Sequence, residues 1–136
     1  MADASPTKWH LAHTTWFFET FVLTPHAPGF APFDASFDYL FNSYYEGVGP
    51  RHPRPARGLL TRPDLARVRA WRERTDEALA NFIDTATDAA FTAAAPMIEL
   101  GLHHEEQHQE LILMDALNLF SCNPLAPAYA SIRISS

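Results

Sequence analysis

Cysteine is almost absent. Cys122 is the single one in a chain of 136 residues, which excludes an internal disulfide framework and fits a reducing compartment. Long apolar runs are missing too. No window approaches the ~20 uninterrupted apolar residues of a membrane span, and the first residues, Asp3 and Lys8 among them, lack the apolar stretch of a secretory leader. Positive charge is scarce: ten basic against sixteen acidic residues leave −6, the wrong sign for a nucleic-acid or anionic-membrane binder. Charged residues make up only 19% of the chain against 47% hydrophobic ones, which excludes intrinsic disorder. These deficits predict one small soluble cytoplasmic domain with a single core. What the chain has in excess is histidine, seven in all.

The apolar pattern is helical throughout. Ser5-Pro6 reads as an N-cap followed by proline at the first helical position. From residue 9 to 23, Trp9, Ala12 and Trp16 form one row and Phe17 and Phe21 the row beside it, a wide buried face. Thr24-Pro25 is expected to stop this helix. A short helical stretch is expected over 34–45. Residues 47–63, with their prolines and glycines, read as an irregular loop, and that loop carries Arg51, Arg54, Arg57 and Arg62. Guanidinium forks clustered in this way suit carboxylates, although a solvated loop fits the sequence equally well. Asp64 caps a helix expected through Asp88, with Leu65, Val68, Trp71, Leu79, Phe82 and Ile83 as its stripe. Pro96 is expected to open the last helix, over 97–120, which Asn123-Pro124 ends. No β-alternation or repeat is present. The fold class is therefore all-α, a four-helix bundle over 1–129 with a short tail over 130–136.

The last helix carries the chemistry. His104 and His108 are four apart, so their imidazoles lie one above the other and can chelate one divalent ion. Met97, Gly101, Leu111 and Asp115 continue that face, which mixes apolar and liganding groups and so points inward. His13 lies between Trp9 and Trp16 on the core face of the first helix. A lone histidine there is usually a satisfied core residue; opposite an inward His-x-x-x-His pair it becomes a third ligand candidate. His10, one turn away, has a supporting or surface role as its alternative. His103 points off the face, and His26 and His52 lie in loops. His104-Glu105-Glu106-Gln107-His108 also spells the H-E-x-x-H of zinc peptidases, with Glu105 as general base. No third ligand follows downstream and no strand is available to bind a peptide, so that reading is set aside.

Four motifs resemble one family. Ser5-Pro6-Thr7-Lys8-Trp9-His10-Leu11-Ala12-His13-Thr14, Tyr39-Leu40-Phe41-Asn42-Ser43-Tyr44-Tyr45-Glu46, Gly49-Pro50-Arg51-His52-Pro53-Arg54-Pro55, and His104 through Asp115 with Asn123-Pro124-Leu125 are similar to the DinB-like domain of ergothioneine-biosynthesis sulfoxide synthases, the EgtB family. The resemblance implies a DinB/YfiT-like bundle holding non-haem Fe(II) through His13, His104 and His108. It implies O2-dependent joining of the thiol of γ-glutamylcysteine or cysteine to the imidazole of Nα-trimethylhistidine, ending as a sulfoxide. Gln107 is implied to contact the histidine betaine, and Arg51 and Arg54 the carboxylates of the thiol, with Arg57 and Arg62 equally near in sequence. Three neutral ligands on one side of an octahedral ion leave three positions open, and the nitrogen set suits Fe(II) better than Mg or Ca.

The family's enzymes continue into a lectin-like domain that supplies a catalytic tyrosine. Nothing in these residues resembles it, so the resemblance implies an activity completed by a lectin-like partner domain. Two other readings stand beside it: a DinB-type thiol-dependent transferase using zinc or nickel, and a catalytically inactive metal-binding or dimerisation module. Aromatic-rich helices also predict exposed apolar surface and a homo-oligomer.

Overall fold

The computed structural model describes residues 4–43 and 47–130. Residues 44–46, part of one motif above, and the end of the tail lie outside the described residues. Every regular element among them is helical. Helix α1 (Thr7–Phe18) passes without a break into a π-helical turn (Glu19–Leu23) and then α2 (Thr24–His26). A five-residue α3 (Phe37–Phe41) and a 3-10 helix (Arg54–Leu59) precede the two long helices, α4 (Leu65–Thr85) and α5 (Asp88–Cys122). None is long and apolar enough to cross a membrane.

Helix α1 is the centre of the bundle and packs against α3, α4 and α5. It is buried nearly all round, with Trp9, Ala12, Trp16, Phe17 and Phe18 as its apolar part and His10, His13, Thr14 and Thr15 buried among them. One core cluster joins Trp9, Trp16 and Phe17 to Phe37, Phe41, Val68 and Trp71; a second joins Phe18, Val22 and Leu23 to Phe82 and Ala94. The α4 stripe is narrower than its sequence suggests. Val68, Trp71 and Phe82 are buried, whereas Leu65 and Ile83 at its margins are exposed.

Several boundaries differ from expectation, each for a local reason. Pro6, not Ser5, holds the capping position of α1, in extended conformation; Ser5 is buried, its Oγ accepting from Arg57 Nη1 at 3.3 Å. Thr24-Pro25 does not stop the first helix, because the π turn shifts the register and the Thr24 hydroxyl donates back to the Glu19 carbonyl at 2.8 Å. The arginine loop contains a regular element after all. A 3-10 turn tolerates Pro55 near its start, where no helical N–H is yet required. Asp64 caps α4 as expected, accepting from the Arg67 amide at 2.9 Å. That helix ends at Thr85, because Thr87 caps the next one by accepting from the Ala90 amide. Pro96 therefore lies inside α5, on an exposed position, carried by an alanine-rich turn that propagates the helix through it.

The α1–α5 crossing depends on Gly101. A Cβ there would lie 2.5 and 2.6 Å from ring carbons of Phe18 and 3.2 Å from Phe17. Alanine gains up to ~1 kcal/mol of helix propensity over glycine, but overpacking a core costs about 1–3 kcal/mol. Gly101→Ala is thus expected to lower the free energy of unfolding by up to about 2 kcal/mol in urea titrations. A stabilised variant would show that the helices can part there at no cost.

Candidate metal centre

Helices α1 and α5 meet where the histidines are. The ligand atoms of His13, His104 and His108 all lie within 4.8 Å of one another. Two metal–nitrogen bonds of about 2.1 Å span at most about 4.2 Å, so small side-chain rotations close the set on one ion. The three imidazoles line a cavity of about 410 Å³ together with Trp9, Arg57 and Gln107.

Each ring is held differently. His13 is 2% exposed, and its Nδ1 donates to the Phe41 carbonyl at 2.6 Å, which leaves Nε2 with the lone pair. Trp9 stacks on it with centroids 4.7 Å apart. His108 is buried, with its Nδ1 2.8 Å from Nδ1 of His10. His104 packs against Phe17, centroids 4.9 Å apart, and its buried Nδ1 has no hydrogen-bond partner among the described residues. A buried ring nitrogen without a partner is costly, and a cation within reach would satisfy it.

Electrostatics keep the set neutral. Burial, followed by the neighbouring imidazoles His104 and His10 and then Arg57, pushes His108 down to about 3. Burial, then His104 and His108, holds His13 well below the ordinary histidine value, and burial lowers His104. Near neutral pH all three rings offer lone pairs rather than protons, which a metal ligand requires.

The remaining sequence candidates separate. Gln107 and Arg54 line the same cavity, while Arg51 donates to the Ser43 carbonyl at 2.8 Å and lines the adjoining one. Arg57, which sequence could not rank above Arg62, is the arginine buried in the wall. It lies 3.6 Å over the Trp9 ring and donates to Ser43 Oγ at 2.8 Å. A 3-10 helix repeats every three residues, so Arg54 and Arg57 share one face; that spacing was the available signal. Arg62 lines a different pocket, beside Asp34 and Arg67. Glu105 turns away from the cluster into an ion pair with Arg72, so it does not serve as the base the H-E-x-x-H pattern would need. His103 is exposed and pairs with Glu106 at 3.1 Å, and His26 lines a cavity with Phe30, Phe82 and Ala90. His10 and Asp115 were undervalued in the sequence: both are buried and both line the site.

No curated protein sequence matches the chain. A family model described as the DinB superfamily matches residues 1–112, a span that takes in helices α1 to α4, the arginine-bearing turn and all three clustered histidines. An all-helical architecture with three histidines positioned for one metal ion agrees with that match, and the chain belongs to the DinB superfamily.

Proposed function

We propose that this domain holds non-haem Fe(II) through His13, His104 and His108 and belongs to an O2-dependent sulfoxide synthase of the ergothioneine-forming kind. The observation that carries this reading is the clustering of three neutral imidazoles at a cavity walled by Arg54, Arg57 and Gln107. The four motifs resembling the EgtB family supply the reaction class. When bound, Fe(II) with three protein nitrogens supplies O2 chemistry and open positions for substrates.

The chain's own residues would do the rest. Arg57, which donates to the hydroxyls of Ser5 and Ser43 and stacks on Trp9, and Arg54 beside it present positive charge to the carboxylates of γ-glutamylcysteine or cysteine. Gln107 presents an amide to the histidine betaine at the cavity mouth. Trp9 and Leu111 add apolar surface to an otherwise polar wall, which strengthens the charge interactions beside them. A lectin-like domain is the partner this reading calls for.

A second reading follows from the family match, which reaches the DinB superfamily at large: a thiol transferase using zinc or nickel to hold a thiolate. Cobalt(II)-loaded protein distinguishes them. The sulfoxide-synthase reading expects its visible spectrum to change on adding γ-glutamylcysteine or cysteine, and again on adding Nα-trimethylhistidine. A response to thiol alone favours the transferase, and a spectrum indifferent to both would overturn either.

A further inference from the structure

Behind the three histidines stands a pair that touches only one of them. His10 on α1 and Asp115 on α5 are 4% and 5% exposed. Asp115 Oδ2 lies 3.4 Å from His10 Nε2, and His10 Nδ1 lies 2.8 Å from His108 Nδ1. Asp115 Oδ1 has no partner among the described residues, so His10 is the polar contact that justifies burying this carboxyl group.

The geometry points to a tautomer relay in which Asp115, through His10, fixes His108 with its proton on Nδ1 and its lone pair on Nε2. The argument is one of hydrogen accounting. A carboxylate only accepts, so the His10 nitrogen facing it carries the proton. At 3.4 Å the contact is an ion-dipole attraction rather than a short hydrogen bond, yet a lone pair turned toward the carboxylate would still be repelled. A neutral His10 protonated at Nε2 has a lone pair at Nδ1. The 2.8 Å contact between the two Nδ1 atoms needs one proton, and His108 must then supply it. The lone pair left at His108 Nε2 is the one offered to an ion. His13 reaches the same state by another route, through the Phe41 carbonyl. His13 and His108 are thus each oriented by a hydrogen bond on the far nitrogen, which fixes the tautomer and raises ligand basicity. His10 and Asp115 are positioning residues. The consequence for affinity rests on the metal reading above; the tautomer does not.

Asp115→Asn tests the relay with almost no change of shape. Its amide N–H would donate to His10 Nε2, moving the His10 proton to Nδ1 and forcing His108 to accept there. Long-range 1H–15N correlation spectra of the metal-free protein are expected to show His108 protonated at Nδ1 in the wild type and at Nε2 in Asp115→Asn. Cobalt(II) affinity is expected to fall about ten- to hundredfold in the variant. In a His10→Phe background, where the relay is already cut, Asp115→Asn should change affinity no further.

A role confined to packing would move neither the proton nor the coupling. The same His108 tautomer and the same affinity in both proteins would overturn the relay, as would a wild type protonated at Nε2, a measurement that needs no variant to fold. A tautomer switch in a protein that binds no metal would instead retain the relay and overturn the metal reading.

Discussion

Protein carrying His104→Ala together with His108→Ala is expected to purify without metal, its content falling from about one ion per chain to background. The size of this effect follows from the ligand set. Three nitrogens from two helices converge, and the double change leaves His13 alone, a single neutral donor that water outcompetes. His10 cannot restore the site: its Nδ1, freed of His108, could add at most one donor to His13, and its Nε2 still faces Asp115. Metal-dependent stability should vanish with the site: an ion at a thousand times its Kd adds about 4 kcal/mol, so the wild-type Tm rises on loading and the variant's does not. His103→Ala is the control, because that ring lies outside the site and is two-thirds exposed (67%). Elemental analysis of dialysed samples reads the outcome, and stoichiometric metal in the double variant would sink the metal assignment.

How much of this centre was legible beforehand depends on which interaction sets each position. The i, i+4 spacing of His104 and His108 and the apolar neighbours of His13 are local facts, and a helix converts local spacing into a shared face. Asp115 and Gly101 were placed on that face for the same reason, and both are buried on it. What spacing cannot give is the rotation of one helix against another. That rotation aims His10 at His108 and turns Glu105 toward Arg72, so a consensus peptidase pattern lost its base. Arg57 could not be ranked above Arg62 because its burial depends on how a proline-rich segment folds back over Trp9, a long-range contact that its three-residue spacing from Arg54 does not by itself reveal. The boundaries at Thr24 and Pro96 erred in the opposite direction. Pro25 reads locally as a stop and Pro96 as a start, and both are overridden where the bundle gives the continuing helix something to pack against: Leu23 and Ala94 are buried in one cluster.

Trp71 carries the largest stability effect expected for a single position. It is 0% exposed, and its ring packs against Phe37 and Phe41 with centroids 4.7 and 5.6 Å away. Trp71→Ala should cost about 3–5 kcal/mol of unfolding free energy. Part of that loss is polar, since Trp71 Nε1 donates to Glu19 Oε2 at 2.8 Å, and Glu19 is itself buried in the π turn. Burial raises the Glu19 carboxyl above its ordinary value, while the bonds from Trp71 and from the Phe33 amide pull the other way. A raised folded value means that the native state binds the proton more tightly than the unfolded chain. The penalty for burying this carboxylate is therefore absent in acid and grows as pH rises from the unfolded value through the folded one. Trp71→Phe keeps most of the apolar volume but deletes the donor, which pushes Glu19 higher still and should cost about 1–3 kcal/mol near neutral pH. The same variant should recover part of its deficit at a pH below the folded-state value of Glu19, where the carboxyl is protonated in both proteins. Urea titrations of the two proteins at the two pH values measure this directly. A Trp71→Phe deficit that is independent of pH would assign the whole effect to packing and remove Glu19 from the account.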